Sequence, residues 1–234
     1  MEQSYEEKFD EFKLNIEILE LEIKKHYSGI HINDNEIKNS FFETYSRKII
    51  VDGLVNIGEF FNSKFKILWI LKEARDIEDN KSEGYDLVKD LNEKRADGKN
   101  RTSWQTFDKI IYTTYAIENN LNTFDEIGIH ASNPKIASYL RKIAYINIQK
   151  LAATKNSKND AISNQMLQHK DILKKQILTI NPKIIINCSK QNVINIFSEA
   201  EIENIKIIDS NHPSYWVEKS SKFTNKILDK LKSK

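Results

Sequence analysis

"KFKILWILKEARD", residues 64 to 76, carries an apolar run and then turns abruptly polar. Phe65 to Leu71 is too short for a buried helix and rich in β-branched and aromatic residues, so it reads as a strand. Because apolar side chains fall on both alternating positions, such a strand has to be covered on both faces. Three further runs have the same character: "IAYINI" at 143 to 148, "IIIN" at 184 to 187 and "IKII" at 205 to 208. The stretches between them, about Trp104 to Asn119, Asn164 to Ile180 and Gln191 to Glu199, read as helices. Alternating strand and helix predicts an α/β fold: a three-layer sandwich around a mainly parallel four-stranded sheet. Residues 77 to 101, punctuated by Gly84 and Gly98, are expected to form a long loop holding one helical turn.

Upstream of this core the period changes. Phe9, Phe12, Ile16, Leu19 and Ile23 recur at spacings of three and four, which predicts a helix over about residues 3 to 26 with one apolar stripe. That stripe must dock on the main domain or pair with a second subunit or protein partner. A loop at Tyr27 to Asn35 ends in N-cap chemistry, and a second helix is expected from Glu36 to Ile50. The chain thus divides into an α-helical N-terminal extension, residues 1–50, and an α/β domain, residues 51–234.

Composition narrows the function. Cys188 is the one cysteine among 234 residues, which rules out an internal disulfide, a cysteine-clustered zinc site and a four-cysteine iron–sulfur cluster. The five histidines have no close ligand spacing, so neither metal nor cofactor is expected. No run approaches the roughly 20 apolar residues of a membrane span and the N-terminus lacks a signal-peptide pattern, so a cytoplasmic protein with no membrane partner is expected. A formal net charge of +2 neither demands nor forbids a polyanion. The lysines from Lys219 onward read as a solvated helix face or as contacts to nucleic acid.

In an open parallel sheet, ligands bind beyond the carboxyl ends of the strands. There the sequence supplies Lys72, Glu73 and Arg75 after the first run, Asn147 within the second, and Asp209, Asn211 and His212 after the last. Each has a plainer reading: Glu73 as a first-turn helix residue, Asn147 as an amide tying strand ends, and His212 as a loop histidine packed on Trp216.

In order, "ILWILKEARD", "AYINIQKLA", "ILTINPKIIINCSKQNV" and "IDSNHPSY" resemble the motifs of the uracil-DNA glycosylase superfamily over roughly residues 64 to 217. That resemblance implies a DNA glycosylase that extrudes a base and hydrolyses its N-glycosidic bond. Glu73 would stand where the family's water-orienting residue stands, Asn147 where an asparagine reads the base edge, and His212 where a histidine contacts the base oxygen. For the aromatic ring that stacks on the base, Trp104 is the first candidate and Tyr85 the second, with a core role for Trp104 as the alternative. Lys72, Arg75, Ser214 and Tyr215 complete the expected substrate contacts, and Tyr215 with Trp216 follows where relatives carry a wedge. DNA, single-stranded or as a duplex with a flipped base, is the expected partner.

The first turn departs from the family: it lacks the usual proline and its aromatic or glycine, which leaves the base open between uracil, other deaminated bases and modified bases such as those of viral DNA. Lys72 could contact phosphate, face solvent or form an imine with the abasic product. A non-catalytic nucleic-acid or protein-binding module with the same fold is the competing reading.

Overall fold

The computed structural model describes residues 3–28, 50–75, 86–97, 104–153 and 159–233, with backbone alone at 28, 74, 75, 94, 104, 105 and 151–153. Its strands are β1 (Gly53–Leu54), β2 (Ile67–Arg75), β3 (Ile143–Ala153), β4 (Ile184–Asn187) and β5 (Lys206–Asp209). The helices are α1 (Tyr5–Ser28), α2 (Ile57–Phe61), α3 (Leu87–Asp90), α4 (Trp104–Glu118), α5 (Pro134–Ala137), α6 (Asn159–Gln168), α7 (Lys170–Ile180), α8 (Glu199–Ile202) and α9 (Ser220–Lys232). The second helix expected at Glu36 to Ile50 lies outside the described residues, apart from Ile50, which is not helical.

Strand order is β1-β3-β2-β4-β5. β2, β3, β4 and β5 run parallel, and β1 pairs antiparallel with β3 through Gly53 and Leu54. The four strands read from the sequence are the four parallel ones, while the fifth corrects the count. Two residues are too few to carry a periodic signal, so β1 has no signature in the sequence.

Side-chain alternation divides the sheet into two apolar faces. Trp69, Leu71, Ile143, Tyr145, Ile186, Cys188 and Ile208 pack under α4 and α9. Leu68, Ile70, Ala144, Ile146 and Ile185 pack under α1, α6 and α7. Trp69 is fully buried, its indole N–H reaching Thr114 Oγ1 at 3.3 Å and its ring stacking on Phe223 at 6.3 Å. The buried residues of α9 are Phe223, Thr224, Ile227 and Leu228; of its exposed lysines 222, 230 and 232, Lys230 donates to Asp209 O at 2.6 Å and Lys232 to Asn122 O at 2.9 Å.

α1 starts with a capping box: Glu7 N–H donates to Ser4 Oγ at 3.1 Å and Ser4 N–H to Glu7 Oε2 at 2.7 Å. Its inner stripe, Ile16, Leu19, Ile23 and Tyr27, is buried with α7 in the second core, so the stripe docks on the α/β domain. The helix expected at Asn164 to Ile180 is two helices, broken at His169, whose ring leaves the helical path to meet Tyr27 and His26. The expected helix at Gln191 to Glu199 is a short 3₁₀ turn followed by α8.

His26 Nε2 and His169 Nδ1 stand 3.0 Å apart, so one ring presents a bare nitrogen to the other. Burial, and then the neighbouring His26, hold the His169 pKa below its ordinary 6.5. As pH falls the unfolded chain takes up this proton first, so stability present above about pH 6.5 is lost below it. Urea midpoints measured across that window are expected to fall further in the wild type than in His169→Gln.

Candidate functional site

The pairing register draws one level line across the sheet: Ile146 on β3, Ile70 on β2, Asn187 on β4 and Asp209 on β5. β4 and β5 stop on that line, whereas β2 and β3 run on as a pair to Arg75 and Ala153. The sheet therefore has a notch at its carboxyl edge, beside β2 and above the ends of β4 and β5. It coincides with the point where the chain order reverses, β3 lying on one side of β2 and β4 on the other; ligand crevices form at such points.

Asn147 lies one residue past the line and Glu73 three residues past it, on adjacent strands. Both belong to the odd-numbered positions that project toward the α4 and α9 face, like Trp69, Leu71 and Tyr145. From strand spacing and rise their Cα atoms are about 8 Å apart. Gln149 pairs in register with Glu73 and projects to the same side. His212 is likewise three residues past the line, in the loop after β5. The expected carboxylate, amide and imidazole thus leave the sheet at one edge.

Two buried asparagines stand at this edge with opposite environments. Asn187 is saturated: its N–H groups donate to Gln191 O at 2.8 Å and Asp209 Oδ1 at 2.7 Å, while its Oδ1 accepts from Ser189 N–H and Oγ–H at 3.2 and 2.6 Å. Asn147 is 0% exposed, and neither Oδ1 nor Nδ2 has a hydrogen-bond partner among the described residues. Leaving both ends of a carboxamide unpaired costs about 1–3 kcal/mol for each buried group. The side-chain tie at this edge is made by Asn187, whereas the Asn147 carboxamide has no hydrogen-bond partner among the described residues. Asn147→Leu is expected to leave stability unchanged or raise it by about 1 kcal/mol, while Asn187→Leu costs about 1–3 kcal/mol, both read from denaturant unfolding.

The backbone of Asn147 is held firmly. Its N–H donates to Asp52 Oδ2 at 2.7 Å, and Asp52 Oδ1 accepts from Lys150 Nζ at 2.6 Å and Gln176 Nε2 at 3.1 Å. The Asp52 and Lys150 side chains are only 2% and 3% exposed, and burial pushes the Lys150 pKa down against the pull of Asp52. Nothing in the sequence around Asp52 announces this role, because its partners lie 95 and 98 residues away.

The loop that carries His212 is pinned from several sides. Lys109 of α4, itself 3% exposed, donates to Tyr215 O at 2.7 Å, and Asn211 Nδ2 donates to Glu218 Oε2 at 3.0 Å. Ser214 N–H donates to His212 Nδ1 at 3.2 Å, with Ser214 Oγ 2.7 Å from the same nitrogen. An accepting Nδ1 places the ring proton on Nε2, which makes the outer nitrogen a donor. Ser214 therefore orients the histidine. Tyr215, Trp216 and Val217 are 50, 79 and 57% exposed and form an apolar tip, so Trp216 does not bury the His212 ring.

α4 runs antiparallel to β2: its last residue, Glu118, accepts from Ser63 Oγ and Phe65 N–H before β2 begins. Its first residue, Trp104, consequently sits at the carboxyl edge, and only its backbone is described. The same holds for Arg75, and Tyr85 lies outside the described residues. Lys72 alternates with Glu73 and falls on the opposite, α1 and α7 face, away from Asn147. Sequence reasoning missed Asp52, Lys109 and Glu218; a lysine within the apolar "TFDKIIY" of α4 was the one available signal. Among the described residues no cluster of histidine, cysteine, aspartate or glutamate could hold a metal ion, and no helix is long and apolar enough to cross a membrane. Compared with known proteins, the chain matches no family model, no curated protein and no solved structure.

Proposed function

We propose that this chain is a DNA glycosylase with the three-layer sandwich of the uracil-DNA glycosylase superfamily, hydrolysing the bond between a flipped base and its sugar. The observation that carries the reading is the Asn147 carboxamide, fully buried with both its donor and its acceptor unsatisfied, on the face of the sheet that Glu73 shares. One amide can pair with the donor and acceptor on the edge of a pyrimidine, and a base filling the notch would recover the cost of that vacancy.

Glycosidic cleavage puts positive charge on the sugar and negative charge on the departing base. Glu73 stabilises the first and orients water, while His212 donates through Nε2–H to the base oxygen that gains charge. Neither role needs a protonated imidazole. From Asn147 to the loop after β5 is about three strand spacings, roughly 14 Å between backbones, a span that two side chains and one heterocycle can bridge. The N-termini of α4 and α9 lie on the same side, where their dipoles favour phosphate. Tyr215, Trp216 and Val217 are exposed; in this reading they enter the base stack, at a cost of a few kcal/mol for unstacking. With Lys72 on the opposite face, the reading is a monofunctional enzyme without imine chemistry.

Release of free base from oligonucleotides carrying uracil, hypoxanthine and hydroxymethylated pyrimidines, single-stranded and duplex, tests this directly. Release of at least one is expected. Tight binding without release from any of them defeats the catalytic reading and leaves a DNA-binding module, for which the exposed aromatic tip alone suffices.

A further inference from the structure

We propose that two copies of this chain pair antiparallel through the outer face of α1, independently of what the notch does. α1 carries two stripes. The inner one is spent on the second core. The outer one, Glu7, Glu11, Leu14, Ile18, Leu21 and Lys25, is spaced 4-3-4-3-4, the seam spacing of a coiled coil. Its three central side chains are large, aliphatic and exposed: Leu14 by 56%, Ile18 by 45% and Leu21 by 67%. Single exposed leucines need no explanation, but three in register on one helix do.

The charges select the occupant. The stripe is acidic at its start, apolar in the middle and basic at its end. In an antiparallel seam with its two-fold axis at the level of residue 16, Leu14 faces Ile18 of the other copy, Leu21 faces Glu11, and Glu7 faces Lys25. A parallel pair would instead set Glu7 on Glu7 and Lys25 on Lys25. At its centre, Leu14 on Ile18, and at its ends, Glu7 on Lys25, the stripe is thus complementary to itself under a two-fold axis, as an isologous interface requires. Beside Ile18 a groove of about 460 Å³ opens between α1 and α7, lined by Phe12 and Leu178 and by the charged Lys8, Glu11, Lys66 and Lys175.

The helix that presents this face is fixed before pairing. Tyr5 Oη donates to Asn62 Oδ1 at 2.6 Å, Glu22 pairs with Lys175 at 2.5 Å, and His26 meets His169. Little ordering entropy remains to be lost on association. A helix of 24 residues is about 36 Å long, and one such seam falls short of the roughly 800 Å² per partner of a standard stable interface. Pairing is therefore expected to be weak and concentration-dependent.

Sedimentation velocity of the full chain from low to high micromolar concentration is expected to pass from monomer to dimer. Ile18→Arg should abolish the transition without moving the unfolding midpoint. Lys25→Glu should weaken pairing about tenfold, because it sets a second carboxylate against Glu7 in the antiparallel seam. A monomer at every concentration overturns the proposal and leaves the stripe to residues 29–49 of the same chain or to a different protein. A dimer that survives Ile18→Arg overturns it as well, and pairing undiminished by Lys25→Glu overturns the antiparallel register.

Discussion

Glu73→Gln is expected to lower kcat for base release by about 10²–10⁴ while leaving KM nearly unchanged. The substitution keeps the volume and one oxygen but removes the negative charge, so what it tests is the charge itself. In the ground state the sugar is neutral and a carboxylate beside it contributes little to binding. In the transition state the sugar carries positive charge inside a partly water-excluded notch, where a fixed opposite charge acts most strongly. The loss should therefore fall on kcat. Asn147→Leu has a different signature: it removes the groups that read the base, so KM rises and discrimination among bases weakens. If both variants match the wild type, Glu73 and Asn147 have no part in chemistry.

The sequence made the parallel core legible because its strands are apolar on both faces, and short β-branched runs such as Ile184 to Ile186, flanked by polar and turn residues, favour a strand over a helix. It also drew Glu73, Asn147 and His212 toward the carboxyl edge, but only His212 follows a strand end: β2 and β3 run on past their apolar runs to Arg75 and Ala153, so Glu73 and Asn147 lie within strands. The environments of those residues were not legible. Asn147 and Asn187 stand at similar points of similar runs, yet one carboxamide is saturated and the other vacant, a difference made by Ser189, Gln191 and Asp209 closing on Asn187. Alternation, once the register was fixed, separated Lys72 from Glu73, which adjacency in sequence had joined. The break at His169 was hidden because both halves keep a helical period and only the tertiary contacts with Tyr27 and His26 call for an interruption.

Asp52→Ala is expected to destabilise the fold by about 3–5 kcal/mol, measured by denaturant unfolding. The cause is what remains: the Lys150 ammonium, 3% exposed and 2.6 Å from the carboxylate in the native chain, is left in an apolar layer with no opposite charge. That loss is a large share of the 5–15 kcal/mol typical of a domain. Removing the lysine as well reverses the logic, because a buried pair replaced by apolar groups of similar volume is often neutral. Asp52→Leu combined with Lys150→Met should thus regain most of the stability. It does not regain the acceptor for the Asn147 N–H, whose 2.7 Å bond to Asp52 Oδ2 fixes the strand at the residue that would read the base. A double variant that folds well but releases base slowly, with KM raised more than kcat is lowered, makes Asp52 a positioning residue; one that folds well and works normally makes it a structural residue only.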